Sequence, residues 1–283
     1  MNSIIDEMIL HYGEFTKSER KIIDYILSHK CEAQYLSITD LSEACKISVS
    51  TISLFCRKLG ADGFNVFKLE LAKATIPCSS PSLHAVGAVT PDDSMDEVFQ
   101  KTFSANEDAL QRTYQLLDPD AVSKAVDLLE AAGQVLCFGQ GNHAIMAQAA
   151  WVQFSTVSSR FKTVEESHMQ VLTAATMDPG DVLLFFSYSG STHEFMELAQ
   201  LVKSRGGKII LITRFPNSPG TALSDLVLLV GATEEPLSYG SVEAMTAQLL
   251  VIDILYNEYC RRNFDKANAL RGIIGKALAH KCI

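Results

Sequence analysis

The stretch Asp181-Val182-Leu183-Leu184-Phe185-Phe186-Ser187-Tyr188-Ser189-Gly190-Ser191-Thr192 decides how the chain is read. Its first six residues are apolar after the opening aspartate and follow the turn signal Asp178-Pro179-Gly180. That pattern predicts a short strand buried on both faces, as in a parallel sheet. Ser187, Ser189 and Ser191 alternate behind it, with Gly190 and Thr192 completing a polar loop. From His193 to Ser204, Phe195, Leu198, Ala199 and Val202 recur at helical spacing. A strand, a Ser/Gly loop and a helix start together make a place for an anion. The first helical N–H groups have no internal partner, the helix dipole favours negative charge, and glycine admits close backbone approach. The loop has no Lys or Arg and no G-x-x-x-x-G-K-[ST] pattern, so it suits one phosphate monoester on a small molecule rather than a nucleoside triphosphate with Mg2+. The plainer alternative is that these hydroxyls only cap a helix and fill a turn.

Outward from this stretch, apolar runs alternate with helical patterns. Val135–Phe138, Phe161–Val164, Lys208–Thr213 and Leu226–Val230 read as further strands. Helices are expected from His143 to about residue 157, near Met169–Ala175, and from Val242 to Tyr259 as the closing element. Five buried strands alternating with helices predict an α/β region of three αβα layers around a five-stranded parallel sheet. The loop after the first strand, Gly139-Gln140-Gly141-Asn142, also fits the dinucleotide fingerprint G-x-G-x-x-A through Ala144, with Glu165 near the expected acidic position. A nicotinamide-sensing Rossmann domain is therefore a competing expectation. It leaves the second hydroxyl loop at Ser187–Thr192 without a purpose, whereas two polar loops suit a phosphate plus sugar hydroxyls.

The first third is an all-α pattern with repeated start signals. Thr16-Lys17-Ser18-Glu19 is a capping box with Ile22, Ile23, Ile26 and Leu27 behind it. Ser37 opens a second helix with Leu41 and Ala44 inward, and Ser48 opens a third running to about Leu59. In that third helix Ile52, Phe55 and Leu59 share one side, leaving Ser50, Ser53, Arg57 and Lys58 for the other. Gly60 ends it, and Phe64, Phe67 and Leu71 mark a fourth. Two short helices around a tight turn, the second rich in small polar residues, form the helix-turn-helix pattern. Ser48, Ser50, Thr51 and Ser53 leave the helix start slim enough for a major groove, with Arg57 and Lys58 available for phosphates or guanine edges. A helical packing or dimerisation module is the alternative, since residues 1–76 are not basic overall.

Prolines and serines in Pro77-Cys78-Ser79-Ser80-Pro81-Ser82, with Gly87 and Pro91 beyond, mark a linker. The expected domains are 1–76, helix-turn-helix; 77–92, linker; and 93–283, small-molecule sensor. Ser94-Met95-Asp96-Glu97 opens a long amphipathic helix to about Leu117, and Asp118-Pro119 starts the next. The 283 residues carry a net charge of −9, with 47% hydrophobic and 20% charged residues. That balance belongs to a globular protein and argues against indiscriminate nucleic-acid binding, while allowing a local DNA-reading surface. No apolar run approaches a membrane span and no signal pattern opens the chain, so a cytoplasmic protein is expected. Cys31, Cys45, Cys56, Cys78, Cys137, Cys260 and Cys282 are scattered without C-x-x-C spacing, which suggests reduced, buried thiols and calls for no metal. No cofactor is called for either.

Ser48-Val49-Ser50-Thr51-Ile52, Phe55-Cys56-Arg57-Lys58-Leu59-Gly60, Gly63-Phe64 and Phe67-Lys68-Leu69 together resemble the N-terminal domain of the RpiR-type transcriptional regulators. The chain differs from that pattern at Leu54, where arginine is usual, and at Lys46, where glycine is usual. Residues 120–262 are similar to the sugar isomerase (SIS) domain that follows it in such regulators. That likeness rests on Phe138-Gly139-x-Gly141, Ser187-x-Ser189-Gly190-x-Thr192 and Ala247-Gln248-Leu249-x-x-Ile252-Asp253-x-Leu255. It departs at Asn142 and His143, where serines are usual, and around Met245, where arginine is frequent. The resemblance implies a regulator that binds operator DNA and is controlled by a phosphosugar. Ser187, Ser189 and Thr192 would hold the phosphate with Gly190 and Ser191 supplying backbone; Gly139, Gly141, Asn142, His143, His168 and Glu243 would surround the sugar. It also implies a homodimer or homotetramer, since the helices 94–117 and 242–259 carry more apolar surface than one sheet face consumes. A sugar-phosphate isomerase is the enzymatic alternative; it needs a base, with Glu243, His168, His193 and the pair Glu234/Glu235 as candidates. The helix-turn-helix half has no place in an isomerase.

Overall fold

Residues 4–29, 33–75, 89–232 and 241–279 are described by the computed structural model. They fall in two units, Met1–Ala105 and Asn106–Ala232 with Val242–Ile283. The first contains α1 (Ile4–Leu10), α2 (Lys17–Ser28), α3 (Ile38–Cys45), α4 (Val49–Lys58) and α5 (Phe64–Thr75), of which α2, α3 and α4 start on hydroxyl caps. Thr16 and Glu19 close a reciprocal capping box on α2, and Ser37 and Asp40 do the same on α3. Ser48 Oγ accepts from the Thr51 N–H to start α4. Met8, Ile22, Ile26, Leu41, Ile52, Phe55 and Phe67 fill the core between them.

Ala44, expected inward, is exposed, and Cys45 takes the buried place. Burial on α3 repeats at Leu41 and Cys45, one i,i+4 step apart, so the intervening alanine faces out. The turn to α4 passes through Lys46 at φ 56° and ψ 46°. Among the described residues it is the non-glycine residue with positive φ, at a corner that a glycine would occupy without strain.

The division between the units falls within α6 (Met95–Leu116). In the second unit, α7 (Pro119–Ala131), β1 (Val135–Gly139), α8 (Asn142–Ser155), β2 (Phe161–Thr163), α9 (Ser167–Ala175), β3 (Val182–Phe186), α10 (His193–Ser204), β4 (Lys208–Thr213), β5 (Leu226–Leu229) and α11 (Val242–Arg262) follow in turn. The strands make one parallel sheet in the order β2-β1-β3-β4-β5. Successive residues of β1, β3 and β4 point to opposite faces, and both faces are covered. Cys137, Val182, Leu184, Phe186, Ile210 and Ile212 pack under α7, α8 and α11. Leu136, Phe138, Leu183, Phe185, Ile209 and Leu211 pack under α9 and α10. This is the three-layer αβα arrangement expected from the near-continuous apolar strands. Asp181, just before β3, is a buried brace: its carboxylate accepts from the backbone of Gln134 and Asp178.

A last helix, α12 (Phe264–Leu278), follows where no further element was expected; among its described residues only Ala267 is buried, with Leu270 and Ile274 half-buried at helical spacing from it. Its root is pinned from α11, where Arg262 bonds Glu258 and the Ser123 hydroxyl of α7; Arg261 and Arg262 together hold the Glu258 carboxyl down to about 2. Cys45, Cys56, Cys137 and Cys260 are free, buried thiols. Cys31, Cys78 and Cys282, the Glu234/Glu235 pair and most of the expected linker lie outside the described residues. No described helix is long and apolar enough to cross a membrane.

Candidate functional site

The sheet order places a switch point between β1 and β3: from β1 the chain moves out to β2, then returns to the other side of β1. In an open parallel sheet the crevice beyond the strand ends at such a point is where ligands bind. The two loops singled out in the sequence both arise there, one after β1 and one after β3.

After β3, Ser187 is buried and its Oγ accepts from the Gly190 N–H at 3.1 Å, while Ser189 Oγ accepts from the Ser191 N–H at 3.3 Å. Gly190 is left-handed at φ 58°, and a Cβ there would lie 2.2 Å from Ser218 Oγ, so both conformation and space demand glycine. Thr192 is the N-cap residue of α10, yet its side chain makes no capping bond. Its Oγ1 is buried with no hydrogen-bond partner, as is the Oγ of Ser218. Thr192 therefore does not cap the helix, while the Ser187 and Ser189 hydroxyls do fill the turn. A buried hydroxyl without a partner carries a desolvation cost of about 1–3 kcal/mol. Here it stands beside a helix start whose first N–H groups lack internal acceptors.

The loop after β1 is bound up within the protein. Gly139 ends the strand because a Cβ would meet His143 O at 2.5 Å. Gly141, at φ 59° and ψ −130°, is the N-cap of α8, so Asn142, expected in the loop, is the first helical residue. The His143 and Ala144 N–H groups donate back to Gln140 and Gly141 carbonyls. His143 Nε2 accepts from the Tyr188 N–H at 3.2 Å, and that bond leaves Nδ1 to donate to Gln248 Oε1 at 3.1 Å. His143, expected beside the sugar, uses both ring nitrogens to tie the β3 loop to α11. Gln248 is fully buried and its Nε2 has no hydrogen-bond partner.

The remaining sugar-side candidates do not join this network among the described residues. The His168 side chain is 95% exposed on α9 and lies 3.9 Å from Glu166. His193 is exposed and faces Glu197 one turn along α10. Glu243 is half-exposed in the first turn of α11. Glu165 is exposed and accepts from Gln148 on α8. Residues the sequence analysis did not single out complete the loop after β3. Thr213 Oγ1 and the Arg214 N–H both donate to Tyr188 O, and the Gly220 N–H donates to Gly190 O. Thr213 closes a strand and Ser218 sits in a Pro/Gly turn, so neither carried a spacing signal. Gln248 lay inside the quoted Ala247-Gln248-Leu249 run, but nothing in that run assigned it a partner.

In the first unit, Ser48, Ser50, Arg57 and Lys58 are exposed, while Thr51 and Ser53 are half-buried. The Ser50 and Thr51 hydroxyls lie 2.9 and 2.8 Å from Ser48 Oγ. Lys58, expected to be available for phosphates or guanine edges, donates its Nζ to Glu19 at 3.0 Å and sits 4.5 Å over the Phe15 ring. Burial pushes the Glu19 carboxyl up, but bonds from the Thr16 backbone and Lys58 outweigh it and hold the group below its ordinary range.

Helix-turn-helix and switch-point sheet in one chain define a regulator that joins a DNA-binding module to a small-molecule domain. Residues 3–77 match the helix-turn-helix domain of the rpiR family, and residues 128–258 match the SIS domain. The chain belongs to this rpiR family of helix-turn-helix transcriptional regulators. It is 30% identical to the regulator HexR of Pseudomonas aeruginosa over 96% of this chain and 95% of that protein. It is 31% identical to an HTH-type transcriptional regulator of Caldanaerobacter subterraneus over 89% of each. The solved structure of Vibrio vulnificus NanR complexed with ManNAc-6P shares the fold across 98% of both chains, with a TM-score of 0.86 at 22% identity. SIS-fold neighbours include a putative phosphosugar isomerase from Bacteroides fragilis, at 26% identity and TM-score 0.55 over 62% of this chain and 97% of that one.

Proposed function

We propose that this regulator's hold on operator DNA is set by a phosphorylated sugar bound at the switch point of the sheet. The loop Ser187–Thr192 takes the phosphate through the Ser189 and Thr192 hydroxyls and the backbone of Gly190, Ser191 and the α10 start. Gly139, Gly141 and Asn142 border the sugar, with His143 positioning the loop and His168 and Glu243 at the rim. The observation that carries this reading is the buried, unpartnered Thr192 Oγ1 at an uncapped helix start. The ligand of NanR, a phosphorylated amino sugar, names the first class to try.

Residues 1–76 bind DNA through Ser48, Ser50, Thr51, Ser53 and Arg57, 77–92 link, and 93–283 sense. The protein works in the cytoplasm as a homodimer or homotetramer, its paired units meeting half-sites a whole number of DNA turns apart. Support for self-association comes from exposed Ile145, Val152, Leu172 and Leu249, on helices where α8 and α9 carry no charged residue. Ligand favours one DNA-binding arrangement over another by a coupling of roughly 1–3 kcal/mol. A sensor is favoured over an isomerase because the relatives are regulators and because His168 and His193 are exposed beside carboxylates on their own helix or its cap.

A thermal-shift screen of hexose and amino-sugar phosphates, with NAD and NADH alongside, tests the ligand. A midpoint that rises with one phosphosugar, with no product formed on incubation, is the expected result. A rise with the dinucleotides alone would transfer the site to the fingerprint loop after β1, and isomerised product would make the protein an enzyme.

A further inference from the structure

Helix α4 turns one stripe outward: Ser50, Leu54 and Arg57, at i, i+4 and i+7. Its other side, Ile52, Phe55 and Cys56, is wholly buried in the helical core. Leu54, at the centre of the outward stripe, is 64% exposed. A single exposed leucine is ordinary on a protein surface, but this one occupies the middle of the face that the helix-turn-helix pattern presents to DNA. The inference rests on that DNA-binding reading.

The chemistry of the stripe is unusual for such a face. From Val49 to Cys56 the helix carries no charge. The Ser50 and Thr51 hydroxyls are within bonding distance of Ser48 Oγ, and the Lys58 ammonium is drawn aside to Glu19 and Phe15. Arg57 therefore remains as the cation of the stripe, at its far end. When the helix enters a major groove, the Leu54 isobutyl group is buried against base edges. Guanine O6 and N7, adenine N6 and N7, and cytosine N4 are polar, and covering them with a hydrocarbon would leave them without partners. The thymine 5-methyl is the apolar group that a base pair offers there.

We propose that Leu54 is a specificity-determining residue that packs on a thymine methyl in each operator half-site. The operator accordingly carries a thymine opposite the middle of α4, flanked on the Arg57 side by phosphate or guanine. Leu54 acts through direct apolar contact, and its loss affects choice of sequence rather than folding, since it is largely exposed and outside the helical core.

The test uses the full-length protein. Duplexes are selected from a pool with a randomised core, and the selected sequence is then prepared with thymine or with deoxyuridine at single positions. Removing one methyl per half-site is expected to weaken wild-type binding about fourfold per half-site, the value of one buried methylene-sized group. Leu54→Ala should bind both duplexes alike, near the wild-type affinity for the deoxyuridine form. Leu54→Arg, reselected from the same pool, should exchange that thymine for guanine. Wild-type protein indifferent to deoxyuridine at every position, a selected site without thymine, or a full methyl effect persisting in Leu54→Ala would each overturn the proposal. Failure to retain any duplex at low salt would instead bring down the DNA-binding reading itself, and this inference with it.

Discussion

After β1 the chain turns through Gln140 and Gly141 into α8; after β3 it turns through Ser187 to Thr192 into α10. Both loops are glycine-bearing, both end a buried strand, and both open a helix at the switch point of the sheet. In the first, the early helix amides donate to the loop's own carbonyls, and the histidine is bonded at both nitrogens. In the second, Ser187 and Ser189 take loop amides, but the N-cap threonine makes no cap and its hydroxyl is buried without a partner, as is that of Ser218 beyond β4. A fingerprint of glycines therefore reports where backbones come close, and not what binds. Gly139 is spoken for by the carbonyl of His143 in its own helix. The chemistry of recognition is concentrated where polar atoms remain unmet.

Substitutions in the two loops can break or sharpen that contrast. Gly190→Ala should have the largest effect, combining left-handed strain with a collision at Ser218. It should cost about 2–4 kcal/mol in urea unfolding of the second unit and remove the ligand-induced midpoint shift. A mild effect would mean that the loop yields easily and is not pre-shaped. His143→Ala should cost about 2 kcal/mol, because Tyr188 N–H and Gln248 Oε1 both lose a partner, and should weaken ligand binding without abolishing it. Complete loss of ligand with stability unchanged would return His143 to a direct contact. Gly141→Ala should cost about 1 kcal/mol, since its conformation is strained but a Cβ there meets nothing within 4 Å. Thr192→Val should have the smallest effect on stability and the opposite sign, a gain of up to about 1 kcal/mol from removing a buried unpaired hydroxyl. The same variant should bind phosphosugar about tenfold more weakly in calorimetry, the loss expected of one hydrogen bond to a charged group. Loss of stability there, with affinity retained, would make the threonine a structural cap after all.

Much of this architecture could be read from the chain because its signals are local. Four of the five strands announce themselves as short apolar runs, β2 with its Lys162 and Thr163 being the weaker signal, and the caps at Thr16, Ser37 and Ser48 stand where a hydroxyl precedes a helical stripe. What could not be read depends on distance along the chain. Strand order is one case: alternation of strands and helices calls for a parallel sheet without saying that β1 lies between β2 and β3. Lys58 looks like a free cation until Glu19, 39 residues earlier, is brought beside it. The partnership of His143 with Gln248 spans 105 residues. Helix α12 is a different case: Ala267, Leu270, Ile274 and Ala277 keep helical spacing, but Gly272 and Gly275 interrupt the run and weaken its signal. In the proposed ligand site the loops are legible as motifs, whereas the difference between a bonded ring and an unpartnered hydroxyl appears only once the hydrogen bonds are placed.

Two of the helical unit's cysteines, those among the described residues, have a practical consequence. Cys45 and Cys56 sit in its interior, and burial lifts them to about 11 and about 12. Thiolate is scarce and sterically shielded while the helices stay assembled, so electrophiles and peroxides meet an inert surface on these residues. Alkylation at either cysteine would register only after the bundle has come apart, which turns the pair into an inbuilt clock for how often the DNA-reading unit opens.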